Sequence, residues 1–255
     1  MLFSDANLRD VTLSHLKLMY RLFTLPLLLL LCFTGTNAFA DKGDTLRLLF
    51  IGNSLTYTND LPALVKEIGE KDKKVMTCDM IALPDYSLED HWNEGKAATA
   101  IEDGKYDYVI LQQGPSALPE SQVLLLTYAQ KFAAECKKSG SVMALFMVWP
   151  SKARSFDFNN VMISYYTAAD KTGSFVCPAG TAWMNVWQIN KAVSLYGPDG
   201  FHPGIDGSVL AAMTIYCSLF KKTSLDFLSY TDCSWSKDIN KDLHRLLTTV
   251  ATTTH

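Results

Sequence analysis

"LLFIGNSLTYTNDLP", Leu48 to Pro62, is an apolar run that stops abruptly at Gly52-Asn53-Ser54. Polar residues and a proline follow at once. The full run "LRLLFIG" (Leu46 to Gly52) reads as a strand buried on both faces. The segment after it, "LPALVKEIGEK", has the spacing of an amphipathic helix. Ser54 therefore sits where a strand gives way to a helix. That is either an ordinary turn or a place where a nucleophile is presented.

The same alternation continues along the chain. "VMTCDMIAL" (Val75 to Leu83), "YDYVILQ" (Tyr106 to Gln112), "SVMALFMVWP" (Ser141 to Pro150) and the shorter "SFVCPAG" read as further strands. "SQVLLLTYAQKFAAECKKSG" is a helix that Gly140 stops, and "IDGSVLAAMTIYCSLF" is an apolar core helix, too short to span a membrane. Strands alternating with helices predict an α/β fold: a three-layer α/β/α sandwich around a parallel sheet of about five strands. In such sheets functional residues collect beyond the carboxyl ends of the strands. That rule singles out Asn53-Ser54, Pro84-Asp85, Gln112-Gln113 and Trp149-Pro150.

The 255 residues, 48% hydrophobic and 19% charged, suit one domain over residues 41–255. The net charge is −3 and no basic cluster stands out, so nucleic acid is not an expected partner. "MYRLFTLPLLLLLCFTGTNAFA" (Met19 to Ala40) has the order of a secretory signal peptide: Arg21, an apolar core, then Ala38-Phe39-Ala40. Cleavage is expected before Asp41, with residues before Met19 an upstream extension of the signal region 1–40. The protein is thus expected to be exported, periplasmic or secreted, with no membrane span once the signal is cut. The competing readings are an uncut anchor helix and a lipoprotein. Leu31 before Cys32 lacks the small residue that a lipoprotein signal needs. Five cysteines remain after residue 40, widely spaced and without C-x-x-C, which suggests no zinc site.

A serine nucleophile needs a base and a group to orient it. Past residue 40 the histidines are His91, His202, His244 and His255. His202 lies in the Gly/Pro-rich loop "YGPDGFHPGIDGS", three residues after Asp199. In a tight loop that spacing lets the carboxylate reach the near ring nitrogen and leaves the far one free. A solvated turn is the competing reading. His91 reads as a helix-face or cap residue, and His244 as part of a charged helix surface.

Here the sequence resembles the SGNH/GDSL hydrolases, esterases and lipases with a flavodoxin-like sandwich. "GNSL" matches the family's nucleophile block at Ser54, and "DGFHP" matches its C-terminal D-x-x-H block at Asp199 and His202. "CPAGTAWMNV" (Cys177 to Val186) is similar to a segment of the bacterial carbohydrate-esterase-like members. The resemblance implies a Ser54–His202–Asp199 triad. It also implies an oxyanion hole from the backbone N–H groups of Ser54 and Asp85 and the side-chain amide of Gln112 or Gln113. In "LPDYSLEDHW" Asp85 stands where the family has Gly, and "LQQGPS" lacks the family's Asn. No cofactor or metal is implied. The expected activity is hydrolysis of small-molecule or glycan esters, with O-acetyl groups on a glycan as one candidate. A lipase or thioesterase of the same fold, and an inactive binding module, are the alternatives. Trp149, Trp183 and Trp187 read as core residues in preference to a sugar platform.

Overall fold

The apolar run Leu46–Gly52 (β1) pairs along both edges, which is why it carries no alternating polar face. The computed structural model describes residues 45–254. The signal-peptide reading, its cleavage site, Cys32 and His255 lie outside the described residues. Met76–Ala82 (β2) flanks β1 on one side and Tyr108–Leu111 (β3) on the other. Val142–Phe146 (β4) and Phe175–Cys177 (β5) complete the sheet. The order is β2-β1-β3-β4-β5, and every pair is parallel. This is the doubly wound order, whose connections reverse direction between β1 and β3.

Helices cover both faces. One layer holds Leu61–Lys71 (α2), Ala179–Ile189 (α7), Ile205–Phe220 (α8) and Lys241–Thr253 (α9). The other holds Leu88–Glu94 (α3), Lys96–Gly104 (α4), Pro119–Ser139 (α5) and Phe158–Thr172 (α6). A single turn, Ser54–Tyr57 (α1), follows β1 directly. Helix α2 buries Leu61, Leu64, Val65 and Ile68, the i, i+3, i+4, i+7 stripe read from its sequence. Helix α8 is buried from Gly207 through Cys217, which accounts for its apolar composition without a membrane. No helix among the described residues is long and apolar enough to cross a membrane.

Two expectations are corrected, for β4 and His244, and the reading of His91 is made more definite. Strand β4 ends at Phe146, although Met147, Val148 and Trp149 are fully buried. Gly180, in the first turn of α7, packs so closely on the Val148 carbonyl that a Cβ would lie 2.3 Å from its oxygen. The helix thus occupies the place where a longer β5 would continue the ladder. His91 lies on helix α3, as read from the sequence, on a face that is buried, at 1% exposure. His244 is buried as well. It accepts from Trp235 Nε1 at 3.3 Å and donates through Nε2 to the Leu228 carbonyl at 3.2 Å.

Trp149 and Trp183 stack at 3.6 Å in the core, fully buried, so neither forms a surface platform. Cys136, Cys177, Cys217 and Cys233 are buried free thiols, and Cys78 is a half-buried one. Burial pushes all five thiols up to about 12.

Candidate active site

Three loops meet at the carboxyl end of the sheet, and Asn53 joins them. Its backbone N–H donates to Gln112 Oε1 at 2.8 Å, beyond β3. Its side-chain amide donates to the Tyr86 carbonyl at 2.9 Å, beyond β2. Its Oδ1 accepts from the Leu55 N–H at 3.1 Å and caps α1. Ser54 is therefore the first residue of a capped helical turn, buried at 7% exposure. As an N1 residue its N–H has no intrahelical partner. Gly52 is required by close approach, since a Cβ there would lie 2.4 Å from both Gln112 Oε1 and Thr56 Oγ1.

The two glutamines are used differently. Gln112 Oε1 accepts from Asn53 N and from Thr56 Oγ1, both at 2.8 Å, and its buried Nε2 has no acceptor among the described residues. Gln113 has both ends of its amide engaged. Its Nε2 donates to Ser116 Oγ at 3.0 Å and to the Ser121 carbonyl at 3.2 Å, while Oε1 accepts from the Leu88 N–H at 3.3 Å.

Asp85 occupies a β-turn closed by Tyr86 N–H donating to the Leu83 carbonyl at 3.3 Å. Pro84 precedes it, and Asp85 has φ of 60°. That is the i+2 position of a type II turn, which favours Gly. The backbone therefore keeps the conformation that a glycine would take there, and Asp85 itself is exposed.

On the other side, Asp199 and His202 are in contact. Asp199 Oδ2 lies 2.5 Å from His202 Nδ1, and Oδ1 accepts from the N–H groups of Phe201 and His202, each at 2.9 Å. The hydrogen bond from His202 and the two backbone donors hold the Asp199 carboxyl down at about 2. It is ionised at neutral pH and accepts from His202 Nδ1–H, which leaves Nε2, the far ring nitrogen, clear of the carboxylate.

The loop itself is well anchored. Gly197 N–H donates to the His202 carbonyl at 2.7 Å, and Lys152 N–H donates to the Gly200 carbonyl at 2.7 Å. The buried Trp149 donates to the Phe201 carbonyl at 3.0 Å, and Trp183 to the Gly207 carbonyl at 3.3 Å. The tryptophans thus brace the histidine loop from beneath. Asn59, just past Ser54, donates to the Pro203 carbonyl at 3.1 Å and to Ser208 Oγ at 2.9 Å. This joins the Ser54 segment to the His202 segment. Among the described residues Ser54 and His202 are not hydrogen-bonded to each other.

His91 was missed as a site residue. Its Nε2–H donates to the Gly52 carbonyl at 2.7 Å, two residues before Ser54. Burial depresses its basicity and favours the neutral ring, and Nδ1 has no hydrogen-bond partner among the described residues. Among the described residues no group of three or more His, Cys, Asp and Glu side chains is arranged to hold a metal ion.

No protein-family model and no curated protein sequence matches the chain. Solved structures do. A DUF4886 family protein from Bacteroides uniformis superposes with a TM-score of 0.68 at 18% identity, covering 82% of this chain and 94% of that one. A candidate SGNH hydrolase from Slackia heliotrinireducens gives 0.60 at 20% identity, covering 69% and 100%. A catalytic mutant of Axe2, an acetylxylan esterase from Geobacillus stearothermophilus, gives 0.53 at 15%, covering 72% and 96%. The doubly wound, five-stranded parallel sheet with helices on both faces is the fold of the SGNH/GDSL hydrolases.

Proposed function

We propose that the protein is a serine ester hydrolase in which Ser54 is the nucleophile, His202 the base and Asp199 its orienting carboxylate. The observation that carries this reading is the 2.5 Å contact between Asp199 Oδ2 and His202 Nδ1, in a loop tied by Asn59 to the Ser54 turn. Ser54 Oγ attacks the ester carbonyl and gives its proton to His202 Nε2. Asp199 stabilises the imidazolium. The proton passes to the departing alcohol, and water, activated by the same ring, frees the acid and regenerates Ser54.

The oxyanion is held by the backbone N–H groups of Ser54 and Asp85 and by Gln112 Nε2. Gln112 is favoured over Gln113 because its amide has an N–H to spare. One such donor is worth roughly 3 kcal/mol of the barrier. No cofactor enters these steps.

The substrate class that best suits the protein is an ester on a glycan, an O-acetyl group above all. Its support is the likeness to an acetylxylan esterase and the export signal read at residues 19–40. Secreted or periplasmic protein should begin at Asp41, which N-terminal sequencing checks. A retained apolar segment would instead favour the anchor reading.

The decisive experiment is labelling with a fluorophosphonate probe, followed by peptide mapping. Ser54 should carry the label, and Ser54→Ala should lose both labelling and turnover of p-nitrophenyl acetate. Labelling at Ser116 or Ser208 would overturn the assignment. A folded protein with neither label nor turnover would be a binding module on this fold.

A further inference from the structure

A pocket of about 360 Å³ opens beside the nucleophile turn, with Asn53 in its wall. Asp85, Tyr86, Pro115, Ser116, Leu118 and Arg154 are among the other residues that line it. One wall is tied down by hydrogen bonds from α6. Tyr165 Oη donates to the carbonyls of Gln113 at 2.5 Å and Gly114 at 3.1 Å, and Ser164 Oγ donates to the Ser116 carbonyl at 2.7 Å. Two non-glycine residues with positive φ line this one pocket, Asp85 at 60° and Ser116 at 54°. Such backbone strain gathers where a ligand is clamped. An added Cβ on Gly114 would meet nothing within 4 Å among the described residues, so the loop leaves space there.

The charged groups are arranged for hydrogen bonding. Arg154 forms an ion pair with Asp157, which is buried at 4% exposure, and its guanidinium carbon lies 5.4 Å from the Phe156 ring centre. Carboxylate and ring hold the guanidinium, while its planar fork has five N–H donors in all. Asp85 is exposed and offers acceptors only. An anionic ligand would face Asp85, while the Arg154 charge is already matched by Asp157. A neutral polyol needs donors and acceptors together, with an apolar wall for its ring. Tyr86, Pro115 and Leu118 supply that wall. The volume lies at the small end of ligand pockets, about 300 to 1,000 Å³, and fits a single ring.

We propose that this pocket is a subsite for the neutral sugar ring that bears the ester, with Asp85 and Arg154 as the pair that reads its hydroxyls. It rests on the serine-esterase reading for the purpose of the site, but binding can be measured without turnover. The test is calorimetric titration of the Ser54→Ala protein with a mono-O-acetylated methyl xylopyranoside. Ethyl acetate and the acetylated methyl glucuronide are the comparators. The neutral sugar should bind at least tenfold more tightly than either. Asp85→Asn keeps a residue that tolerates positive φ, and Arg154→Lys keeps a cation beside Asp157, so both variants should fold. Each should weaken sugar binding about tenfold.

Unchanged binding in both folded variants would overturn the proposal, as would a neutral sugar that binds no better than ethyl acetate. Tighter binding of the glucuronide would make the site one for anions and overturn it too. Failure of wild-type protein to hydrolyse p-nitrophenyl acetate would sink the esterase reading alone, because the titration stands without it.

Discussion

Replacing His91 by Phe removes one hydrogen bond and keeps a ring of similar bulk in a fully enclosed place. The bond lost is Nε2–H to the Gly52 carbonyl at 2.7 Å. That carbonyl also accepts from the Leu83 N–H at 3.2 Å, so it is not left bare. The stability loss should therefore be the net worth of one hydrogen bond, about 1 kcal/mol, and not the larger cost of an orphaned buried group. For a domain of this size that lowers Tm by about 2–4 °C. The effect on catalysis should be larger. Gly52 immediately precedes the Asn53 cap that presents Ser54, and an error of about 1 Å in a reacting group can cost a hundredfold in rate. A fall in kcat of roughly 10–100-fold with a smaller change in KM is expected, since the reacting serine moves while the pocket's other walls, residues 85–87 and 113–118, are untouched. His91→Gln returns a side-chain N–H near the lost one and should recover most of the rate. The assays are thermal unfolding, p-nitrophenyl acetate kinetics and amide exchange at residues 54–57, which should quicken in His91→Phe alone. If His91→Phe is folded and turns over normally, the bond does not position the nucleophile. If Gln is as poor as Phe, ring packing and not hydrogen bonding is what matters.

Asp85→Gly should raise Tm by about 1–2 °C, because relief of roughly 1 kcal/mol of left-handed strain exceeds the added flexibility of the unfolded chain by about half. Turnover of p-nitrophenyl acetate should persist in that variant, since the oxyanion contact proposed for residue 85 is made by its backbone N–H alone, and its abolition would show that the carboxylate takes part. Gln112→Ala should cut kcat about a hundredfold, whereas Gln113→Ala should chiefly lower Tm; equal kcat losses would mean that the oxyanion donor is misassigned. Burial lowers the basicity of both His91 and His244, so the unfolded chain takes up protons first as pH falls. Their contribution to stability is complete above the ordinary histidine value of about 6.5 and is lost as pH falls below it. Denaturant midpoints should hold steady above about pH 7.5 and decline below about 6.5, and more shallowly in His91→Gln; a flat profile down to pH 5 would contradict the neutral burial of these rings.

What could be read in the sequence was local, and what could not be was a contact between distant segments. Asp199 and His202 are three residues apart in one Gly/Pro-rich loop, so their pairing was open to inspection. The Gln112–Asn53 bond spans 59 residues, and the His91–Gly52 bond spans 39. Each pairs a side chain with a backbone group, and a backbone group leaves no mark on composition. "LEDHW" therefore looked like any amphipathic turn with a histidine on it. Strand β4 was overextended for a related reason. "MVWP" is as apolar as a strand, but it is buried under the α7 turn and the histidine loop and not by a neighbouring strand.

Asp85 is the case where the signal was present. A residue that follows Pro84 at the second corner of a turn either continues a type I geometry or takes positive φ, and Asp is among the few non-glycine residues that tolerate the latter. Leu83-Pro84-Asp85-Tyr86 thus already encoded a turn that could hold a family glycine's backbone without the glycine. On the proposed reading the substitution keeps an N–H for the oxyanion and adds a carboxylate to the wall of the pocket that Arg154 also lines, which is the difference that a sugar hydroxyl would detect.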